Sequence, residues 1–595
     1  MRVLLVSLLV LGILIGCSGQ KKETPATPYH EEKGGKVYGG QYVFNETSDL
    51  PTLDPVQIGD VSSHHAAHQI YELLVDLDPN TLEVVPELAK RWEISDGGLT
   101  YTFILRDSVF FHNSPCFPQK NGRKVTAQDV KYSFERACNS NTQTKGFSVF
   151  KDKVDGANAY FEETLAAKKE ARAPKINGVH GFIARDDTTF IIELIKPFAP
   201  FLKTLTSAFC YVVPEEAVRY YDDGFRMNPV GTGPFIFSEF KEGQYLLLKR
   251  NPHYWQKDSL GNRLPFLDEI KITFIRDLTT QIMELGKGTL SECYRIPEEL
   301  RTDWIGPDGN LSEKYRKDFV LQRIPALSVQ YYGMNTKVAP FNDKRVRQAL
   351  CYAIDREKIA KYVLKGGVAA PATHGMVPPS MPGYNTAKVQ GYGFDPAKAR
   401  QLMADAGYPN GKGFPAVSLQ LNSGGGRNVQ VAEAIQAMLK ETLNIEVALN
   451  VVEWSQHLES LERSKAPFFR IGWVADYPEP ENFLNLLYGN LVPKDLDARS
   501  YPNTTRFENS AFDALYKKAL ATTNDRERYD LYQKAEQAAM NDAPMMLIFY
   551  DLDERLLNRN VQGYPLNAMD RRDMKFVWLS RPEKKGSEQA QSQAK

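Results

Sequence analysis

Residues 472–480 read Gly-Trp-Val-Ala-Asp-Tyr-Pro-Glu-Pro, and this stretch carries the most information about the fold of the chain. It follows a strand-like run with the apolar residues Phe468, Phe469 and Ile471 and stops at two prolines, a pattern that predicts a strand ending in a turn. Asp476 then lies at the strand end, flanked by Trp473 and Tyr477. A carboxylate beside aromatic surface is costly unless a cation or a hydrogen-bond donor meets it. The segment therefore predicts a partner for Asp476, supplied either by the protein, as for an ordinary turn aspartate, or by a ligand.

Length and charge limit the possible classes of protein. A chain of 595 residues exceeds what one hydrophobic core holds, so two or three lobes are expected. Lysine plus arginine and aspartate plus glutamate each number 73. This balance gives no electrostatic basis for binding nucleic acid or for binding a membrane through a polybasic segment.

The N-terminus predicts export from the cytoplasm. One early cation, Arg2, precedes a short apolar run at 3–15, as in a secretory signal peptide, and this run is too short to span a membrane. Residues 14–17, Leu-Ile-Gly-Cys, resemble the bacterial lipobox; the alternative is a plain signal with a chance cysteine. The resemblance implies a signal peptide at 1–16 and a diacylglycerol thioether on Cys17. The polar stretch 17–35 would be a tether, holding the protein on the extracytoplasmic side of a bacterial membrane, in the periplasm or on the outer face.

Cysteine usage adds little about the site. Five cysteines remain after Cys17, and an odd number leaves at least one thiol free or bonded to another chain. Cys116 and Cys138 bracket a loop and a predicted helix, and we expect them to form the disulfide if there is one. Neither a CxxC motif nor a His/Cys cluster occurs in the sequence, so we expect no structural metal and no cofactor.

Strand-like and helical patterns alternate along the chain, which indicates α/β or α+β lobes. Strands are expected at 40–44, 100–105, 189–194, 245–248, 270–275 and 445–452. Helices are expected at 127–137, 343–354, 396–406, 428–440 and 526–541. Thr126 and Asp129 have the spacing of a helix-capping pair. The polar residues 580–595 are expected to form a disordered tail.

Five ordered signatures resemble the family 5 extracellular solute-binding proteins, the peptide and nickel receptors of ABC importers. They are PELA at 86–89 with SDGGLTYTFILR at 95–106 and VTAQDVKYSFER at 125–136, PVGTGPF at 229–235, PFNDKRVRQAL at 340–350 with AIDR at 353–356, the segment 395–408, and the opening segment. The resemblance implies a two-lobed α/β fold, the periplasmic-binding-protein-like II fold, with an additional third domain. It places the first lobe at 36–68, 201–324 and 550–579, the extra domain at 69–200, and the second lobe at 325–549.

The opening segment is most similar to the oligopeptide-binding branch of this family. The resemblance implies that Asp476 receives the α-ammonium of a peptide, a strong pair when desolvated. The backbone of Gly472, Trp473 and Val474 would pair with an extended ligand as an added strand. The opposite wall of the cleft would come from Gly59, Asp60 and Val61.

Further positions match pocket residues of that branch. The resemblance implies that Trp454 lines a side-chain pocket, that Tyr331 lies beside the first ligand residues, and that Tyr477 flanks the ammonium site. It also implies that Arg470 meets a ligand carboxylate and that Arg427 is a candidate for the C-terminal carboxylate. The chain departs from the branch at Leu461, where a basic residue would be expected, so the preferred peptide length stays open.

The function predicted is therefore a non-enzymatic, monomeric receptor that delivers short peptides to an ABC permease. A dipeptide, a nickel chelate or an oligosaccharide is the alternative ligand, and a sensor of peptides the alternative role. Nickel is disfavoured because His64, His65 and His68 are the only histidine cluster and fall at a helix start. A secreted hydrolase is disfavoured by the absence from the sequence of Gly-x-Ser-x-Gly and His-Glu-x-x-His motifs. Glu479 lies between prolines, where a turn role is expected rather than acid–base work.

Overall fold

A computed structural model describes residues 30–423 and 426–581 of the chain. The signal peptide, Cys17, most of the tether and the tail from 582 onward lie outside the described residues, so the structure does not bear on those predictions. Among the described helices, none combines the length and the apolar character needed to cross a bilayer.

The strands up to residue 273 are β1 His30–Glu31, β2 Val37–Tyr38, β3 Gln41–Asn45, β4 Val75–Leu77, β5 Val84–Pro86, β6 Ala89–Ser95, β7 Thr100–Leu105, β8 Phe182–Ala184, β9 Thr189–Glu193, β10 Phe235–Lys241, β11 Tyr245–Arg250 and β12 Glu269–Thr273. The strands that follow are β13 Glu292–Tyr294, β14 Phe319–Met334, β15 Val368–Pro371, β16 Val417–Asn422, β17 Val447–Val452, β18 Phe468–Val474, β19 Met545–Asn558, β20 Val561–Gln562 and β21 Trp578–Leu579.

The α-helices are α1 Val61–Ile70, α2 Ala127–Ala137, α3 Phe147–Phe150, α4 Ala157–Lys169, α5 Phe201–Thr204, α6 Glu215–Tyr221, α7 Leu278–Lys287, α8 Arg301–Trp304, α9 Glu313–Arg316, α10 Lys344–Tyr352, α11 Arg356–Lys358, α12 Pro396–Asp405, α13 Gly426–Leu443, α14 Trp454–Glu462, α15 Pro480–Leu484, α16 Ser510–Leu520 and α17 Asp525–Asp542. Short 3₁₀ turns and one π-turn, Ile359–Val363, connect some of them.

The elements expected from the sequence are confirmed. The six strands correspond to β3, β7, β9, β11, β12 and β17, and the five helices to α2, α10, α12, α13 and α17, with ends that differ by at most three residues. The capping pair forms as expected, since the Thr126 and Asp129 side chains each bind the backbone of the other. Local hydrophobic periodicity and helix capping therefore locate these eleven elements.

Three larger sheets organise the strands. One has the order β10-β11-β12-β3, and a second, fully antiparallel, has the order β6-β7-β9-β8. The third is mixed, with the order β13-β19-β14-β18-β16-β17, and β15 also pairs with β19. Alternation along the strands of this third sheet buries Tyr331 and Met545 on one face and Tyr332 and Met546 on the other, so both faces are covered by apolar core.

The domain boundaries inferred from the resemblance remain our proposal. The boundaries at 324/325 and 549/550 fall inside β14 and β19, which are the two longest strands described and pair with each other over most of their length. Two such strands can pass continuously from one lobe to the other. The β6–β9 sheet lies within 69–200, which supports a separate extra domain, although its core is continuous with that of the β3 sheet.

The expected disulfide between Cys116 and Cys138 does not form in this structure. All five described cysteines are free thiols. Cys138 is buried at the end of α2 in apolar core, where burial raises the pKa of its thiol and Cys210 is a neighbour. Cys116 is partly exposed and lies beside Ser114 instead. The two cysteines lie on either side of a loop and α2 in the sequence, but α2 places Cys138 in the apolar core, away from the partly exposed Cys116.

Candidate functional site

The strand β18 has one edge that is only partly used. On one side all of its residues pair with β14, from Ser328 opposite Val474 to Met334 opposite Phe468. On the other side it pairs with β16 only at Phe468 and Phe469. Beyond Phe469 this edge has no strand partner among the described residues, so it can accept another extended chain.

The start of the open edge is fixed by His457, which the sequence reading did not select. His457 Nε2 lies 2.8 Å from the backbone carbonyl of Arg470, and Gln420 Nε2 lies 3.1 Å from His457 Nδ1. Because a carbonyl only accepts, Nε2 carries the proton and Nδ1 accepts from the amide. Burial lowers the pKa of His457, which favours this neutral form. The open edge therefore begins at Ile471.

Gly472 lies on the open part of β18, at a position where a side chain would collide with its neighbour on β14. A Cβ added at Gly472 would come within 2.5 Å of the Gln330 side-chain amide. That amide is held in place, since its Nε2 donates to Asp551 over 2.6 Å and its Oε1 accepts from Arg470. The glycine thus lets the polar network beneath the edge approach the backbone.

Asp476 follows the open edge and is oriented by Asn482, in the first turn of α15. Asn482 Nδ2 donates to Asp476 Oδ2 over 3.2 Å, and Asn482 Oδ1 accepts from the Asp476 backbone N–H over 3.1 Å. The same Oδ1 accepts from Trp473 Nε1 over 2.8 Å. One amide side chain therefore fixes the turn, the indole and one oxygen of the carboxylate.

The charge of Asp476 is not neutralised within the described part of the chain. Its side chain meets an amide and no cation within ion-pair distance. Its surface is open to solvent, yet the surrounding protein desolvates it and raises its pKa, with Asn482 opposing the shift. A solvent-open carboxylate with a desolvation penalty lies in a recess, where an incoming cation would relieve the penalty.

A cationic group occupies the other end of the same strand. Arg470 donates to Asn422 Oδ1 over 3.0 Å and to Gln330 Oε1, both neutral acceptors. Arg427, in the first turn of α13, lies with Nη1 3.5 Å from Asp551 Oδ1, and its guanidinium stacks 4.9 Å from the Phe549 ring. The open edge is therefore flanked by an anionic and a cationic end.

The three aromatic residues predicted to contact the ligand differ in their exposure and contacts. Trp454 begins α14 with 47% of its surface exposed, which makes it available to a ligand rather than a core residue. Tyr331 is 1% exposed and packs in the core below the edge, so it supports the strand in this structure and does not face the solvent. Tyr477 donates to Glu481 over 2.5 Å, and burial together with Glu481 raises its pKa.

The loop predicted to form the opposite wall makes local contacts. Asp60 caps α1 by accepting from the Ser63 backbone over 2.8 Å, and Val61 is 52% exposed. A Cβ at Gly59 would meet the Lys145 side chain. Leu461, the position where the branch has a basic residue, is 1% exposed and packs on Phe469, so it belongs to the core of this chain.

Two of the three histidines of α1 are hydrogen-bonded within the scaffold, and the third, His64, packs against the rings of His68 and Tyr211. His65 binds Glu46 and the Asp570 backbone, and His68 binds Tyr211 and Asp573, with all four distances between 2.8 and 3.0 Å. Glu479 is also structural, since it is fully buried between Lys203 and Arg528 at 2.7 and 2.8 Å. Neither set supports a nickel site or an acid–base role at the open edge.

A sheet edge open to one more strand, with a carboxylate at one end and a guanidinium at the other, defines a receptor for an extended ligand. Residues 83–493 match the family described as "Bacterial extracellular solute-binding proteins, family 5 Middle". The chain belongs to this family, as the ordered signatures predicted, and it is a solute-binding protein of ABC transport and not an enzyme.

Named relatives cover nearly the whole chain. Heme-binding protein A of Haemophilus influenzae is 30% identical over 93% of this chain and 94% of its own length. The periplasmic oligopeptide-binding protein OppA of Salmonella typhimurium is 28% identical over 88% of this chain and 89% of its own. The structure of the DppA periplasmic binding protein of Helicobacter pylori, in complex with peptide STSA, has a TM-score of 0.74 at 26% identity, over 91% of this chain and 99% of its own. These similarities confirm the predicted three-domain, two-lobed α/β fold.

Proposed function

We propose that this protein captures short peptides in the cleft between its lobes and delivers them to the permease of an ABC importer. The observation that carries the proposal is Asp476, a desolvated carboxylate without a cationic partner in the described chain, placed where an open strand edge ends. Every free peptide carries an α-ammonium at one end and a backbone able to pair with a strand. The Asp476 carboxylate can bind the ammonium and the open edge of β18 can pair with the backbone, and neither interaction depends on the side chains of the peptide.

The distance between the two charged ends also limits the length of the ligand. Asp476 is six positions along the chain from Arg470, a span of roughly 20 Å in extended conformation. An extended peptide covers about 3.3–3.6 Å per residue, and the long Arg470 side chain shortens the span that the ligand must bridge. Tri- to pentapeptides therefore suit the site best, with the ammonium at Asp476 and the carboxylate at Arg470 and Arg427.

The relatives carry names with different ligands, heme and peptides among them. Peptide is the proposal for this chain because a strand edge pairs with backbone amides, which heme lacks. An oligosaccharide offers no cation for Asp476. The α1 histidines do not favour a nickel chelate, because His65 and His68 are already hydrogen-bonded within the scaffold and His64 packs against the Tyr211 ring. A role in sensing peptides uses the same site, and delivery is proposed on the strength of the family.

Calorimetry with a pool of tri- to pentapeptides tests this function. Heat of binding is expected with the free peptides, and N-acetylation of the same pool is expected to remove most of it, since it removes the ammonium. A pool of short oligosaccharides serves as the control for non-specific heat. Absence of heat with the free peptides, or equal heat with the acetylated pool, would contradict the proposal.

The lipid anchor at Cys17 is likewise proposed, supported by the lipobox-like residues 14–17. A diacylglycerol would bring two acyl chains to the end of the polar tether, which is enough to hold the receptor at the membrane that carries its permease. Metabolic labelling with a tagged fatty acid is expected to mark the wild-type protein and to leave Cys17→Ser unmarked. Labelling of both proteins would refute the anchor at this residue.

A further inference from the structure

We infer that Lys203 is a positioning residue for the ammonium acceptor Asp476, because it binds the turn at 476–479 from the other proposed lobe. The inference rests on the proposed peptide-binding function and extends it to a residue far from the open strand edge in sequence. It comes from a lysine that binds this turn although the two belong to different hydrophobic cores.

Lys203 and the turn are anchored in separate parts of the molecule. Lys203 lies in α5, and the neighbouring Phe201 and Leu205 are fully buried in the core that also contains the residues of β3. The turn leads into α15, whose Phe483 and Leu484 are fully buried in the core on one face of the third sheet. A contact between Lys203 and the turn therefore joins two packed bodies.

The Lys203 ammonium group binds both the backbone and a side chain of the turn. Its Nζ donates to the Pro478 carbonyl over 3.0 Å and to Glu479 Oε2 over 2.7 Å. The lysine side chain is 26% exposed, whereas Glu479 is fully buried. Burial disfavours the charge on Lys203, but Glu479 outweighs this effect and raises the pKa of the lysine. The contact is therefore a charged one at neutral pH.

Glu479 does not depend on Lys203 for a cation. Arg528 Nε donates to Glu479 Oε1 over 2.8 Å, and Arg528 lies in α17, which packs in the same core as α15. Removing Lys203 thus leaves the buried carboxylate paired within its own lobe. What Lys203 adds is a donor to the Pro478 carbonyl and a connection to the other lobe. Its position is therefore explained better by the turn that it holds than by the charge that it meets.

This contact holds the turn on the side that the sheet does not hold. Before Asp476, the Ala475 N–H donates to the Leu327 carbonyl of β14 over 2.9 Å. At Asp476 itself, Asn482 binds the backbone and the carboxylate. Lys203 binds the residues that follow. A binding group that is already fixed in place loses less freedom when the ligand arrives, so this third contact favours capture of an ammonium.

Charge and position predict opposite effects of removing Lys203. The lysine adds a positive charge to the turn that carries the ammonium acceptor, so by charge alone its loss would strengthen the binding of a peptide ammonium. If Lys203 acts by holding the turn, its loss lets Asp476 take up other orientations, and binding becomes weaker. The direction of the change therefore separates the two roles.

The test is calorimetry with the tripeptide Ala-Ala-Ala on Lys203→Met, made both in the wild-type protein and in Asp476→Asn. In the wild-type background the affinity is expected to fall at least fivefold. In Asp476→Asn it is expected to change by twofold or less, because the ammonium contact that Lys203 supports is already lost. Lys203→Arg, which keeps the charge and the donors, is expected to bind within twofold of wild type.

A matched control is Lys287→Met, which removes a lysine that is 65% exposed and pairs with Glu284 at 2.7 Å, and which should bind as the wild type does. Lys203→Gln, a smaller change, is expected to show the same pattern as Lys203→Met and decides the question if Lys203→Met does not fold.

An affinity of the Lys203 variants equal to or above that of the wild type would overturn the inference, as would the same loss in both backgrounds, and either result would leave the peptide-binding function standing. Failure of the wild-type protein to bind Ala-Ala-Ala, or unchanged binding in Asp476→Asn alone, would overturn the proposed function and this inference with it.

Discussion

Replacing Asp476 by asparagine is expected to lower the affinity for free peptides by about two orders of magnitude. The change leaves the shape of the side chain intact and lets the Asn482 amide keep an oxygen acceptor. What it removes is the negative charge that would meet the α-ammonium. Truncating one partner of a desolvated charge pair costs about 2–5 kcal/mol, much of it from the other charge being left buried and unpaired.

Calorimetry with a bound tripeptide and its N-acetylated form makes this expectation specific to the ammonium. Acetylation should weaken binding to the wild-type protein strongly and should have little further effect on Asp476→Asn, because the interaction is already lost. Asp107→Asn, an exposed aspartate in the proposed extra domain, is the matched control and should bind as the wild type does. Independent, additive effects of acetylation and Asp476→Asn would place the ammonium elsewhere.

The same substitution is expected to act in the opposite direction on the stability of the ligand-free protein. Desolvation by the surrounding protein raises the pKa of Asp476 in the folded state above its usual value, so the folded protein binds the proton more tightly than the unfolded chain. Its ionisation therefore costs stability as pH rises through the range above the unfolded pKa. At neutral pH the ligand-free Asp476→Asn protein should have a higher melting temperature than the wild type. The difference between the two melting temperatures should disappear as the pH falls below about 4.

The outline of this site was accessible from sequence because it depends on local pattern. The apolar run and the two prolines determine where β18 begins and ends, and so place Asp476 just beyond its end. The family resemblance then supplied the order of the lobes, which no local pattern contains. Both kinds of information concern residues that are close in sequence or occur in a known order.

The rest of the site depends on contacts between distant residues, which a single sequence does not display. His457 and Arg470 are 13 residues apart, yet only the packing of α14 on the sheet brings the imidazole to that carbonyl. Arg295 and Asp551 are much further apart and meet through the pairing of β13 with β19. Asn482 is close to Asp476 in sequence, but an asparagine two residues after a proline gives no signal that it will orient a carboxylate.

Long-range contacts also hold together the proposed first lobe, whose three chain segments are far apart in sequence. Arg572, 2% exposed, lies with Nη1 3.2 Å from both Glu46 Oε1 and Glu292 Oε1, and with Nη2 3.7 Å from Asp570 Oδ2. Its guanidinium also stacks 4.9 Å from the Phe44 ring. One buried cation thus joins the segment of β3, the strand β13 and the C-terminal segment.

Replacing Arg572 by methionine is expected to lower the free energy of unfolding by about 3–5 kcal/mol, since the change leaves buried carboxylates without their shared cation. Urea unfolding at pH 7 measures it, with Arg276→Met as control. Arg276 pairs with Asp49 at 3.1 Å, but its side chain is 78% exposed, so its loss should change stability by less than about 0.5 kcal/mol.

The pH dependence separates this electrostatic role from loss of packing. Burial opposes ionisation of Asp570 and Glu46, but Arg572 and His65 outweigh it and lower the pKa of both carboxyls. The stability they contribute is present above their unfolded pKa, near 4, and is lost as pH falls through the lower folded values. The difference between wild type and Arg572→Met should therefore shrink below pH 4. The double variant Arg572→Met/Glu46→Gln should recover part of the loss, because it removes a buried carboxylate that has lost its arginine and keeps only His65 as an ion-pair partner in the described structure. A loss that is independent of pH and unaffected by Glu46→Gln would mean that Arg572 acts through its packing on Phe44 alone.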